Sequence, residues 1–292
     1  MTLAVVTASV DLPRAQDCLQ SWRTRAASPY KLYTVLQQPD GPGGGRITWL
    51  EPIHGESIAV CSEILGTVPA FAVGVQKALE EGADIIACLH DDLLIEQDGW
   101  DREVIRLFQA CPRAGLCGFG GGRGLGSSDI YQTPYNPMQL ARQQFGSNMR
   151  DAEAHGQRWE SAQPVACLDG FSQIGLASFW RGWERDAPHL SAFREMEHRL
   201  EEKPINLFEQ MQRLGITHHL YDGLLGCYAK RLGYQVWFVP IKCHHFGGRT
   251  AAGDARYAAW AQQQIEGGDA GFWTKAHEIG YREFRDCLPI RT

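Results

Sequence analysis

The sequence predicts an α/β fold: a mostly parallel sheet flanked by helices, with a helical tail after residue 250. Three observations carry that expectation. Short β-branched apolar runs alternate with helical patterns from residue 3 onward, glycine and proline clusters mark the breaks between them, and every apolar run falls short of the ~18 residues of a membrane span.

The elements follow in order. Residues 3–10 form an apolar, β-branched run, then Pro13 precedes a helical stripe through Leu19 and Trp22, and residues 30–36 alternate as a strand. That makes a β-α-β unit within forty residues. After the Gly41 to Gly45 turn comes a short strand at 47–50. Gly66 and Pro69 open a helix with Phe71, Val75, Ala78 and Leu79 on one face, and Gly82 closes it. Residues 83–89 read as a buried strand ending at His90, Asp91 and Asp92, and a helix with Val104, Leu107 and Phe108 as its stripe begins near Trp100. Residues 114–119 form a further strand that runs into a glycine-rich segment, 118–126, expected to be a flexible loop.

Residues 127–163 lose this rhythm and predict a long insertion, with a polar helical stretch around Gln143, Gln144 and Asn148. Strands resume at 165–168, ending at Asp169 and Gly170, and at 174–180. Asp222 opens a helix carrying Leu225, Tyr228, Ala229 and Leu232, Gly233 stops it, and a hydrophobic strand leads to His244 and His245. From Asp254 to Arg285, Tyr257, Trp260, Ile265, Phe272, Trp273 and Tyr281 predict amphipathic helices packed back onto a single domain.

Composition narrows the function classes. With 28 Lys+Arg against 34 Asp+Glu the net charge is −6 and the pI about 5.9, so no global excess of cations is present to neutralise phosphates. A free-standing electrostatic nucleic-acid binder is disfavoured. The first residues lack the basic region of a secretory signal, and the nine cysteines show no C-x-x-C pair. They read as small buried hydrophobes in a reducing cytoplasm.

Three short strings are candidates for chemistry. Two adjacent carboxylates at the end of a buried strand repel each other unless a cation or hydrogen-bond donors compensate, so Asp91 and Asp92 either share in holding a divalent ion or cap the next element. Adjacent histidines on a strand face opposite sides, so only one of His244 and His245 can join a given site. Asp222 is either a helix N-cap or a general base. Trp159, Trp180 and Trp183 are core residues or stacking platforms for a sugar or base.

In their order, "IIACLHDDL", "VACLDGFSQIG" and above all "LYDGLLGCYAKRLGYQVWFVPIKCHHFGG" make residues 2–250 resemble nucleotide-sugar glycosyltransferases of the GT-A fold, and within them the inverting family 2. The resemblance implies a nucleotide-binding half over about 1–125, an acceptor half over about 164–250, and transfer of a hexosyl or pentosyl group from a nucleoside-diphosphate sugar, a UDP-sugar first, to an acceptor hydroxyl. Asp222 would be the general base. Asp92 with His244, or His245 as alternate, would hold Mn2+ or Mg2+; His244 is preferred for its spacing to Gly248. Thr7, Ala8, Asp40, Asp91 and Arg249 would bind the donor nucleotide, and Asp169 and Gly170 would line the donor-sugar and acceptor side. One departure matters: His90 stands where the family has its first motif acid, and it would add either a metal ligand or only a hydrogen bond. A non-catalytic nucleotide- or glycan-binding relative and a metal-dependent nucleotidyltransferase are the alternatives. The acceptor's identity stays open, with nucleic acid not favoured by the acidic balance.

Overall fold

The computed structural model describes residues 1–38, 47–50, 56–125, 144–185, 205–218, 221–247, 254–266, 282–288 and 290–292. Its frame is a nine-stranded sheet, and β1 (Leu3–Ser9) shows why the pattern folds this way. Successive side chains of a strand alternate between faces. Leu3 and Val5 pack on one side with Trp22 of α1 (Leu12–Thr24) and Trp100 and Val104 of α3 (Trp100–Ala110). Ala4 and Val6 pack on the other with Phe71 and Val75 of α2 (Thr67–Glu80). A strand apolar on both faces belongs in a sheet covered on both sides, and β1 lies inside it.

The other strands of this sheet are β2 (Lys31–Gln37), β3 (Ile47–Trp49), β4 (Glu56–Cys61), β5 (Ile85–Leu89), β7 (Ala114–Gly118), β12 (Gln163–Val165), β14 (Ser172–Leu176) and β15 (Gln235–Phe238). Their spatial order is β12-β15-β7-β14-β5-β1-β2-β4-β3. The pairs β5/β1, β1/β2, β2/β4 and β7/β15 are parallel, and β14 lies antiparallel between β5 and β7. β3 and β12 close the two edges antiparallel. The sheet is therefore mixed: β3, β12 and β14 oppose the common direction of the others.

Among the described residues, three smaller sheets and five further helices complete the frame of the site. β6 (Leu93–Ile95) pairs antiparallel with β16 (Cys243–His245). β8 (Gly120–Gly122), β10 (Phe145–Ser147), β11 (Gln157–Arg158) and β13 (Cys167–Leu168) form a second sheet, and β9 (Gly124–Leu125) pairs with β17 (Ile290–Arg291). Helices α4 (Ala152–His155), α5 (Ala177–Trp180), α6 (Leu207–Arg213), α7 (Tyr221–Arg231) and α8 (Ala255–Glu266) follow in chain order.

Several expectations change. Gly120–Gly122 is no loop but a buried strand held between β10 and β13, with Phe171 packed over Gly120. The stretch expected to be helical around Asn148 contains β10 instead. The strand expected at 174–180 ends at Leu176, and a helical turn then brings Trp180 into the core, where its indole N–H donates to the Ile86 carbonyl (3.1 Å). Trp159 is buried in the core as well. The hydrophobic run before the histidines breaks after Phe238 and re-forms as β16 in a different sheet. The tail is not wholly helical, because the chain ends in β17. No helix among the described residues is long and apolar enough to cross a membrane, and all nine cysteines are free thiols.

Helix α2 approaches β1 through Gly74, where a Cβ would lie 2.3 Å from Val6 Cγ1. Overpacking of that kind costs about 1–3 kcal/mol, more than the roughly 1 kcal/mol that alanine gains over glycine in a helix. Gly74→Ala should therefore destabilise the protein in urea unfolding. With Val6→Ala in place, which leaves only Val6 Cβ at 3.4 Å, the same substitution should be neutral or stabilising.

Candidate active site

The sheet brings distant segments to one edge. β5 ends there in His90, Asp91 and Asp92, and β14, running the other way, begins there after Asp169, Gly170 and Phe171. The His90 amide donates to the Phe171 carbonyl (3.0 Å), and the Leu93 amide donates to the His90 carbonyl (3.1 Å), making a tight turn.

In that turn the adjacent carboxylates diverge. Asp91 reaches back to β1, where Ser9 Oγ donates to its Oδ2 (2.7 Å). Asp92 is buried and turns toward β16, its Oδ1 3.1 Å from His245 Nε2. Each acid thus meets a donor of its own, which relieves the repulsion expected for neighbours.

The β6/β16 ladder decides which histidine enters the site. His245 pairs with Leu93 and His244 with Leu94, and the Phe246 amide donates to the Asp92 carbonyl (3.1 Å). His245 consequently faces Asp92, its ring stacked on Phe171 (4.9 Å between centroids). His244, preferred from spacing, faces the other way, its Nδ1 3.8 Å from Asp151 Oδ1 and its ring against Phe246. The period-two alternation of the strand separates the pair, and register selects between them.

Helix α7 supplies the third wall. Its first residue, Tyr221, is buried, and its hydroxyl donates to the Gly170 carbonyl (2.8 Å) and lies 2.7 Å from His90 Nε2. Gly170 is required for this approach, since a Cβ there would stand 2.7 Å from the Tyr221 hydroxyl. Asp222 lies in the first helical turn, one residue inside the expected start, and its Oδ1 accepts from the Gly223 amide (2.8 Å).

The electrostatics follow from burial. Burial, and then the neighbouring Asp169 charge, push the Asp222 carboxyl up to about 7, against hydrogen bonds from the Gly223, Asp222 and Gly170 amides. Burial likewise raises Asp169, with His245 acting against it. Burial and the nearby His245 hold His90 down at about 4, so its ring is neutral at pH 7. For His245 burial opposes protonation, but the Asp92 hydrogen bond and the charges of Asp92, Asp169 and Asp151 outweigh it and raise its pKa. Burial keeps the Tyr221 phenol protonated.

One ring nitrogen each of His90 and His245 and one Asp92 oxygen lie within 4.8 Å of one another. Two imidazoles and a carboxylate are a donor set suited to a divalent transition ion, so the residues present fit a metal. Of the other anticipated residues, Thr7 and Ala8 sit near the end of β1. Thr7 is fully buried, and its Oγ1 has no hydrogen-bond partner among the described residues. Asp40, Arg249 and Gly248 lie outside the described residues. Tyr221 and Ser9 were not anticipated. Tyr221 reads in the sequence as one more apolar helix residue, and its partners are 51 and 131 positions away. On the outer side, Tyr257 of α8 hydrogen-bonds His218 (3.1 Å), which in turn meets Thr67 Oγ1 (2.9 Å). A cavity of about 480 Å3, lined by Leu3, Tyr30, Tyr33 and Glu81 among others, lies at the opposite edge of the sheet and shares no residue with this site.

No family model matches this sequence, and no curated protein matches it. Among solved structures, the mannosyltransferase PcManGT from Pyrobaculum calidifontis, in complex with GDP-Man and Mn2+, aligns over 95% of this chain and 69% of its own length, at 13% identity and a TM-score of 0.42. S. aureus TarS 1-349 aligns over 82% of this chain and 58% of its own, at 7% identity and a TM-score of 0.43. A197 from STIV aligns over 84% and 86%, at 11% identity and a TM-score of 0.38.

The raised Asp222 pKa has a measurable cost. Between an unfolded value near 4 and the folded value of about 7, the folded chain holds a proton that the unfolded chain has lost, so stability falls as pH rises through this window. Asp222→Asn should therefore be more stable than the parent above pH 7, and the difference should vanish below about pH 4. In carboxyl-carbon NMR the Asp222 resonance should titrate near pH 7, and Asp169→Asn should move that midpoint down.

Proposed function

We propose that this chain is an inverting glycosyltransferase that moves a hexosyl or pentosyl group from a nucleoside-diphosphate sugar, a UDP-sugar first among the candidates, to an acceptor hydroxyl. The observation that carries this reading is one convergence. Asp222, with a pKa near neutrality, stands beside the Asp169–Gly170 loop, and that loop is bonded to the turn carrying His90 and Asp92.

The chemistry assigns a role to each residue. Asp222 in its carboxylate form accepts the acceptor's hydroxyl proton as that oxygen attacks the anomeric carbon. The new carbon–oxygen bond forms as the bond to the diphosphate breaks on the opposite face, inverting the configuration and releasing a nucleoside diphosphate. A base whose pKa lies close to the working pH is suited to that transfer. Asp169 and Gly170 line the donor-sugar and acceptor side. Thr7, Ala8 and Asp40 hold the nucleoside together with Asp91, whose carboxylate accepts from the Ser9 hydroxyl, and Arg249 meets the diphosphate. Asp92 and His245, rather than His244, hold the divalent ion, Mn2+ or Mg2+. When bound, such an ion neutralises the charge that builds on the leaving diphosphate.

A panel of UDP-, GDP- and dTDP-sugars with Mn2+ or Mg2+ tests the reading. Hydrolysis or transfer should release nucleoside diphosphate, and the apparent rate constant kcat/KM should rise with pH to a plateau through an inflection near 7. Asp222→Asn should lower transfer by about 10²–10⁴-fold while nucleoside-diphosphate binding, followed by calorimetry, is retained. Wild-type rates in that variant would remove Asp222 from its role. Release of nucleoside monophosphate would point to nucleotidyl transfer instead.

A further inference from the structure

We propose that His90 is a third ligand of the divalent ion through Nδ1, that Tyr221 holds it in the required tautomer, and that the resulting set selects Mn2+ or a later first-row transition ion over Mg2+. This rests on the ion site proposed above and adds to it a ligand and a metal class.

The tautomer follows from counting protons. A tyrosine hydroxyl has one hydrogen to donate, and a backbone carbonyl can only accept. At 2.8 Å from the Gly170 carbonyl, the Tyr221 hydrogen is committed there. The oxygen of the same hydroxyl lies 2.7 Å from His90 Nε2, so that contact is a hydrogen bond only if Nε2–H donates to it. In the neutral ring this leaves Nδ1 with the lone pair. A metal-binding histidine commonly donates its other N–H to a fixed acceptor, which sets the ring's orientation and tautomer. Tyr221 is then a positioning residue: it acts through His90.

Metal preference follows from the donors. At the first motif position an acid would offer a hard oxygen, the donor type suited to Mg2+, whereas imidazole favours transition ions. Here His90 joins His245 and Asp92 to make two nitrogens and one oxygen within 4.8 Å. Three protein donors would leave room on the ion for diphosphate oxygens. Gly170 belongs to the same device, because any side chain there displaces the Tyr221 hydroxyl that sets the ring.

The test uses the metal-stripped 292-residue chain and no sugar nucleotide. Long-range 15N–1H imidazole spectra of the metal-free protein should show His90 protonated at Nε2; protonation at Nδ1 would overturn the proposal. Calorimetric titration with Mn2+, Co2+, Zn2+ and Mg2+ separately should give Mg2+ the weakest affinity, and Co2+ should develop the visible absorption of a nitrogen-containing site. Tyr221→Phe should lower Mn2+ affinity by about 10–100-fold. His90→Asp should restore Mg2+ binding relative to Mn2+ and bleach the Co2+ band toward that of an oxygen-rich site. Because the hydroxyl variant can disturb folding, His90→Asp and the wild-type spectra stand as independent measures, with circular dichroism as the control. Equal Mg2+ and Mn2+ affinities in the wild type, or an unchanged metal preference in His90→Asp, would refute the third ligand even if donor sugars are turned over. Selective Mn2+ binding without turnover of any donor would uphold it and count against the transferase reading.

Discussion

A single buried hydroxyl holds the site together. Tyr221 Oη joins the first turn of α7 to the Gly170 carbonyl and to His90, so three segments far apart in the chain share one proton-limited junction. The His90 amide bonded to the Phe171 carbonyl closes the same loop from the backbone side. With the Asp169–Gly170 loop and α7 pinned to each other, Asp169 and Asp222 are forced into proximity in a half-buried setting. That enforced closeness, added to burial, is what lifts the Asp222 carboxyl toward neutrality. A looser loop would let the two charges separate and take up water.

The second constraint is β14, which enters the sheet against the common direction. In a sheet of parallel strands the carboxyl ends gather on one edge, and ligands bind beyond them. Inserting β14 antiparallel between β5 and β7 adds the start of a strand to that edge, and with it the Asp169 loop. The short β6/β16 ladder then returns the chain from β15 to the same place and sets His245 on Asp92. Neither ladder is long, and each places a polar side chain at a site its own sequence neighbourhood does not specify. The cost of burying these acids and imidazoles is met by the packed layers on either side of β1, built from Trp22 and Trp100 on one face and Phe71 and Val75 on the other.

Local periodicity and turn chemistry determined the frame. The β1-α1-β2 unit, α2 between Gly66 and Gly82, β5, α3 and β7 are legible because each buries a continuous stripe whose spacing has one solution. The acids at the end of β5 and the acid in the first turn of α7 are legible for the same reason: they stand where such elements stop or start. Placement in three dimensions lay beyond that reading. A glycine run resembles a loop until β10, β13 and Phe171 close around it, and residues 174–180 resemble a longer strand until Trp180 finds the Ile86 carbonyl. The sequence by itself determined that no more than one of two adjacent histidines on a strand can join a given site. Only the tertiary structure decided that the histidine is His245, since a one-residue shift of the β6/β16 register would present the other face. It alone decided the partners of Tyr221 as well, because hydrogen bonds spanning 51 and 131 residues leave no local pattern in the chain.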